Sequence, residues 1–189
     1  MADLLERISE LLATRYGLLV QIGIDTAPTS FAVEYANLRD GVIKLSEART
    51  GEQQAFLLAH VFGHLTQALT SERYRDLIKK VEGAPPIRFD AEEELRYRDF
   101  EMEAFAWGEA LMLACGAAPA DLLDRYRTYA AVDFATYLSY LKTGEQTDPA
   151  TFEALLRRES DAPSPQLWDA DGLVLPEELV FDDVNISVL

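Results

Sequence analysis

Residues 56 to 65, FLLAHVFGHL, are apolar around nearly the whole circumference of a helix, so that helix must be buried. Thr50 and Gln53 stand ahead of it at capping-box spacing. The helix is therefore expected to begin near Gly51 and to run to about residue 70. Its polar exceptions are His60 and His64, the two histidines of the chain. Residues i and i+4 lie one turn apart on one helix face, so both imidazoles can address a single ion. An unsatisfied imidazole is costly in an apolar helix, and a metal would satisfy both rings. The plainer alternative is a pair of core histidines hydrogen-bonded to the backbone.

Zinc takes imidazole nitrogens at ~2.0–2.1 Å and needs a third protein ligand. With no further histidine and one cysteine, Cys115, that ligand is expected to be a carboxylate. The best candidates lie in RDFEMEAFAWGEALM, on a long helix expected over residues 91–114. Glu101 and Glu103 point about 200° apart on a helix, so one can face the histidines while the other faces water. Phe100, Ala104, Trp107 and Leu111 mark an apolar stripe that Glu103 borders. Periodicity leaves both glutamates open.

The remaining pattern is α+β. Leu4, Leu5, Ile8, Leu11 and Leu12 recur at helical spacing, and Gly17 is a stop. LLVQIGID, FAVEYA and VIKLSEA read as strands, the last two as an antiparallel hairpin across NLRDG. After CGAAP, three short helices are expected in ADLLDRYRTYAAV, DFATYLSYLKTG and DPATFEALLRRES, with Asp133 and Asp148 as N-caps. Residues 161–189 hold no lysine or arginine and read as an acidic tail on a domain of residues 1–160, with Trp168 as a docking anchor onto that body.

The formal net charge is −16, which disfavours nucleic acid and suits basic partners or cations. There is no basic patch, phosphate loop or membrane-length apolar run. One cysteine and no signal-peptide pattern suggest a cytoplasmic protein.

Taken together, GVIKLSEARTGEQQAFLLAHVFGHLTQ, EMEAFAWGEALM and APADLL resemble the ImmA/IrrE family of zinc metallopeptidases over about residues 16 to 125. That family carries H-E-x-x-H on one helix and an E-A-x-x-F-A-x-x-L-L pattern on a second, followed by a proline. Here Glu103-Ala104 matches the E-A pair, Leu111-Met112 the apolar end, and Pro119 the proline. The resemblance implies a zincin-like fold, with a small, mostly antiparallel sheet and a helical C-terminal half. It also implies zinc ligands at His60, His64 and Glu103.

The departures carry as much information. Trp107-Gly108 stands where the family has Phe-Ala, and the stretch between His64 and Glu103 is long enough for an extra helix. Val61 occupies the position of the catalytic glutamate. Valine cannot take a proton from water, and losing a general base costs ~10²–10⁴ in rate. The expectation is a degenerate member, with metal retained and proteolysis lost or weak, that acts on a partner protein. The alternatives are an active peptidase that uses another base, such as Glu101 or Glu109, and a purely structural protein without metal.

Overall fold

The computed structural model describes residues 3–23, 36–37, 41–46, 50–81, 85–116, 119–160, 167–170 and 172–179. Helix α1, Leu4–Tyr16, ends at Gly17, whose φ of 67° is the left-handed conformation that glycine adopts without a side-chain clash. Ile8, Leu12 and Tyr16 bury its inner face.

Three strands follow: β1 (Leu19–Gly23), β2 (Ala36–Asn37) and β3 (Val42–Ser46), in the spatial order β1-β3-β2. The β2–β3 pair is antiparallel, as a hairpin requires, with Ala36 opposite Ile43. Most of FAVEYA, residues 31–35, lies outside the described residues. The expected mostly antiparallel sheet is corrected by the longer pair. All five residues of β1 run parallel to β3, from Leu19 beside Val42 to Gly23 beside Ser46. Alternation of apolar and polar residues records which face is buried but not which way a neighbour runs. The segment between β1 and β3 is long enough to return the chain in the same direction. Ile43 and Leu45 point into the core while Lys44 is exposed.

Helix α2, Gly51–Thr70, has the expected capping box, with Thr50 accepting from the Gln53 backbone and Gln53 reaching back. Every residue from Gln54 to Gln67 is buried. A short helix α3, Arg75–Val81, occupies the long stretch before α4, Ala91–Ala114, which Asp90 and Glu93 cap in the same reciprocal way.

The C-terminal half departs from expectation at one point. ADLLDRYRTYAAVDFATYLSYLKT is a single helix, α5 (Ala120–Thr143), and Asp133 is in its middle rather than at a cap. No glycine or proline interrupts this run, so the local preference of aspartate for a cap yields to helix continuity and to a buried partner. Helix α6, Pro149–Ser160, does begin as expected, with the Asp148 side chain accepting from the Thr151 backbone.

Residues 167–179 form no regular element in their described part, but Trp168, Leu175 and Leu179 belong to the main apolar core. Arg15 and Tyr16 donate to the carbonyl of Pro176 and hold this segment against α1. A second apolar cluster joins Tyr74, Leu77, Val81, Ile87, Tyr97, Phe100 and Leu141. No helix among the described residues is long and apolar enough to cross a membrane.

Candidate metal centre

The site depends on how closely α2 and α4 approach. A Cβ on Gly63 would lie 2.0 Å from the Ala104 carbonyl oxygen, and one on Gly108 would lie 2.8 Å from that of Ala59 and 2.2 Å from the Tyr126 hydroxyl. Further along, the Gln67 amide donates to the Phe100 carbonyl at 2.8 Å. The contacts 59–108, 63–104 and 67–100 fall one turn apart and run in opposite directions. The helices are therefore antiparallel and pack backbone to backbone. This gives Gly108, a departure from the family pattern, a physical reason: any side chain there would push the helices apart.

On this crossing His60, His64 and Glu101 come together, each less than 9% exposed. Nε2 of His60 is 3.1 Å and Nε2 of His64 is 3.5 Å from the same oxygen, Glu101 Oε2. Bonds of ~2.1 Å at tetrahedral angles place neighbouring ligands about 3.4 Å apart, and the two distances bracket that value. All three donor atoms lie within 4.8 Å of one another. Phe105 stacks on the His60 ring with centroids 3.7 Å apart, and Phe100 leans on His64 at 4.7 Å. The cluster thus sits at the junction of the two apolar cores.

The other ring nitrogens define the tautomers. Because the Gln67 amide nitrogen is committed to Phe100, its oxygen is the acceptor for His64 Nδ1 at 3.2 Å. That places a proton on Nδ1 and turns Nε2 toward Glu101. His60 Nδ1 lies 3.7 Å from the Asp133 carboxylate. Both histidines therefore have their outer nitrogen backed by an oxygen and their inner nitrogen directed at one carboxylate. Metal-binding histidines are oriented in this way.

Electrostatics agree with that arrangement. Burial, reinforced by His64, lowers the His60 pKa and keeps the ring neutral against the opposing pull of Glu101. Burial alone would raise the Glu101 carboxyl, but the charge of His64 and hydrogen bonds from both rings outweigh it and hold it well below the usual carboxylate range. A neutral His60 and an ionised Glu101 are in the charge states a metal requires, and the ion would displace the protons by which the rings donate to Glu101. The donor set of two nitrogens and one carboxylate oxygen fits a divalent ion, and the buried cluster can hold one.

Glu103, the third ligand implied by the family resemblance, is not in the cluster. Its carboxylate accepts from the Tyr74 hydroxyl at 2.9 Å and pairs with Arg73 at 3.7 Å on a partly exposed face. Glu101, left open by periodicity, takes the place beside the histidines. A signal was available. Tyr97, Glu101, Ala104 and Gly108 fall at helical spacing on one stripe, and its small residues mark the face that meets α2. Gln67, three residues after His64, and Asp133, read as a cap, were missed as supporting groups. Nothing local in the sequence connects Asp133 to His60.

Val61 is 2% exposed and belongs to the apolar core. The position of the family's general base is thus a packing position here. Glu109, considered as a substitute base, is engaged elsewhere. It accepts from Arg127 and, at 2.9 Å, from the Trp168 indole.

One group near the site is unsatisfied. The Tyr97 hydroxyl is fully buried and has no hydrogen-bond partner. Burial, followed by the charge of Glu101, holds this phenol well above its usual pKa, with Asp133 acting in the same direction. The hydroxyl thus lies close enough to feel both carboxylates, Glu101 more strongly than Asp133, while no group satisfies it as a hydrogen-bond partner. An unpaired buried hydroxyl costs ~1–3 kcal/mol.

Comparison of the chain with protein-family models, curated proteins and solved structures gave no match.

Proposed function

We propose that this protein is a zinc-binding regulatory protein, similar in plan to the ImmA/IrrE metallopeptidases but without their hydrolytic step. One observation carries the reading. Two imidazoles converge on a single buried carboxylate oxygen, each backed on its far nitrogen, while the neighbouring general-base position is a core valine. Two histidines and a glutamate form a donor set that zinc uses. His60, His64 and Glu101 would hold the ion, and Glu103 would not.

A bound zinc would supply Lewis acidity and a charge to offset Glu101. The chain's own residues orient the rings, Gln67 behind His64 and Asp133 behind His60. They do not provide a proton acceptor at position 61. Three protein ligands leave a fourth position open, but the core valine at position 61 removes the proton acceptor that hydrolysis needs, and the acidic surface suits a basic segment of a partner protein in the cytoplasm.

The test uses metal-free full-length protein titrated with zinc by calorimetry, beside H60A and E101A, and a peptide mixture incubated with the loaded protein at high concentration. One zinc per wild-type chain, lost in both variants, with no cleavage, is the expected result. Chelator-sensitive cleavage would restore the peptidase reading. Failure of the wild type to bind would leave the histidines as core residues.

A further inference from the structure

A buried hydroxyl without a partner is rare in a folded core, because hydrogen bonds lost to burial are normally replaced. Tyr97 is such a group, one turn before Glu101 on α4 and within the second apolar cluster. Apolar rings fix its orientation: Phe89 and Phe134 stack against it at 5.5 and 6.1 Å, and Phe100 tilts beside it. Its ring is held, and its hydroxyl lies in the field of Glu101 and Asp133, the carboxylates on opposite nitrogens of His60. Valine, leucine or phenylalanine would fill an apolar site without leaving a polar atom stranded. A tyrosine whose buried hydroxyl lacks a partner and lies within reach of the charge of a ligand cluster marks a place for something outside the chain.

Three side chains do not complete the shell of a four-coordinate ion. We propose that Tyr97 is a positioning residue for this centre: its hydroxyl forms a hydrogen bond with the small fourth ligand, a water or small anion, that completes the coordination of a metal held by His60, His64 and Glu101. This rests on the zinc-binding reading and deepens it by assigning the role of a residue that no motif selects.

The substitution that tests it is Y97F, which removes one oxygen and keeps the packing. Zinc affinity is measured by competition with a chromophoric chelator on full-length wild type and Y97F, and thermal melting is followed with and without zinc. Supporting partners of metal sites are worth 10–100-fold in affinity. The expected result is at least a ~10-fold weaker affinity in Y97F. The metal-free variant should melt at or above the wild-type temperature, since it no longer buries an unpaired hydroxyl.

Equal zinc affinity in the two proteins would overturn the inference while leaving the zinc-binding reading intact. Absence of zinc binding by the wild type would overturn both. Should Y97F fail to fold, NMR of wild type carrying ¹³Cζ-labelled tyrosine gives the same decision. A tyrosine resonance assigned to Tyr97 through its contacts with Phe89 and Phe134 that moves on zinc addition supports the contact, and one that stays fixed overturns it.

Discussion

Helix α4 carries two buried carboxylates, and the chain treats them differently. Glu109 meets a permanent cation: the Arg127 guanidinium bonds both of its oxygens, at 2.6 and 3.2 Å, and the Trp168 indole supplies a further donor. Two turns earlier, Glu101 meets two imidazoles and no arginine or lysine in the cluster. The charge on Glu109 is neutralised by a permanent cation of the chain itself. That on Glu101 is neutralised by something removable, either a proton held on an imidazole or a metal ion. A folded chain with no need of an exchangeable cation could have used the same solution twice.

The most severe way to break this comparison is to add a third buried carboxylate with no partner. V61E does so in the apolar core. Holding a glutamate protonated at pH 7 against its ordinary pKa, together with the lost valine packing, is expected to cost about 4 kcal/mol. Denaturant unfolding would measure it. No peptidase activity should appear, because position 61 lies inside the core.

Removing the permanent cation is the next largest change. R127L strands Glu109 and is expected to cost about 3 kcal/mol, the lower end for a broken buried pair because the arginine is partly exposed. The double variant E109L/R127L should recover much of that loss in the same unfolding experiment.

Supplying the removable cation sharpens the other half. Zinc at a hundredfold excess over its dissociation constant is expected to stabilise the wild type by about 2.7 kcal/mol, visible as a raised melting temperature. E103A should keep this response and E101A should lose it.

Acid has the smallest effect and a defined sign. His60 has a lowered folded pKa, so it takes up a proton on unfolding as pH falls below its ordinary 6.5, and stability declines. Glu101 is also depressed. Its contribution is complete above its ordinary 4.5 and is lost as pH falls toward the lower folded value. Urea midpoints measured between pH 7 and 3.5 should fall for metal-free wild type and fall less steeply for E101Q.

Much of the frame was legible because local chemistry fixes it. Thr50 and Gln53 mark the start of α2, Asp90 and Glu93 that of α4, and Gly17 the end of α1. What could not be read depends on distant neighbours. The parallel pairing of β1 with β3 depends on the path of the connecting chain. Asp133 satisfies every local rule for a cap, yet serves as a mid-helix partner of His60. The choice between Glu101 and Glu103 is a matter of helix rotation. Gly63 and Gly108 set that rotation by letting two backbones touch, and an apolar stripe does not register a residue selected for having no side chain.

The most direct test is the metal content of full-length protein purified without a histidine tag, measured by mass spectrometry for wild type, E101A and E103A. The account predicts about one zinc per chain in wild type and E103A, and none in E101A. Metal lost from E103A but kept by E101A, or no metal in the wild type after zinc is supplied, would contradict it.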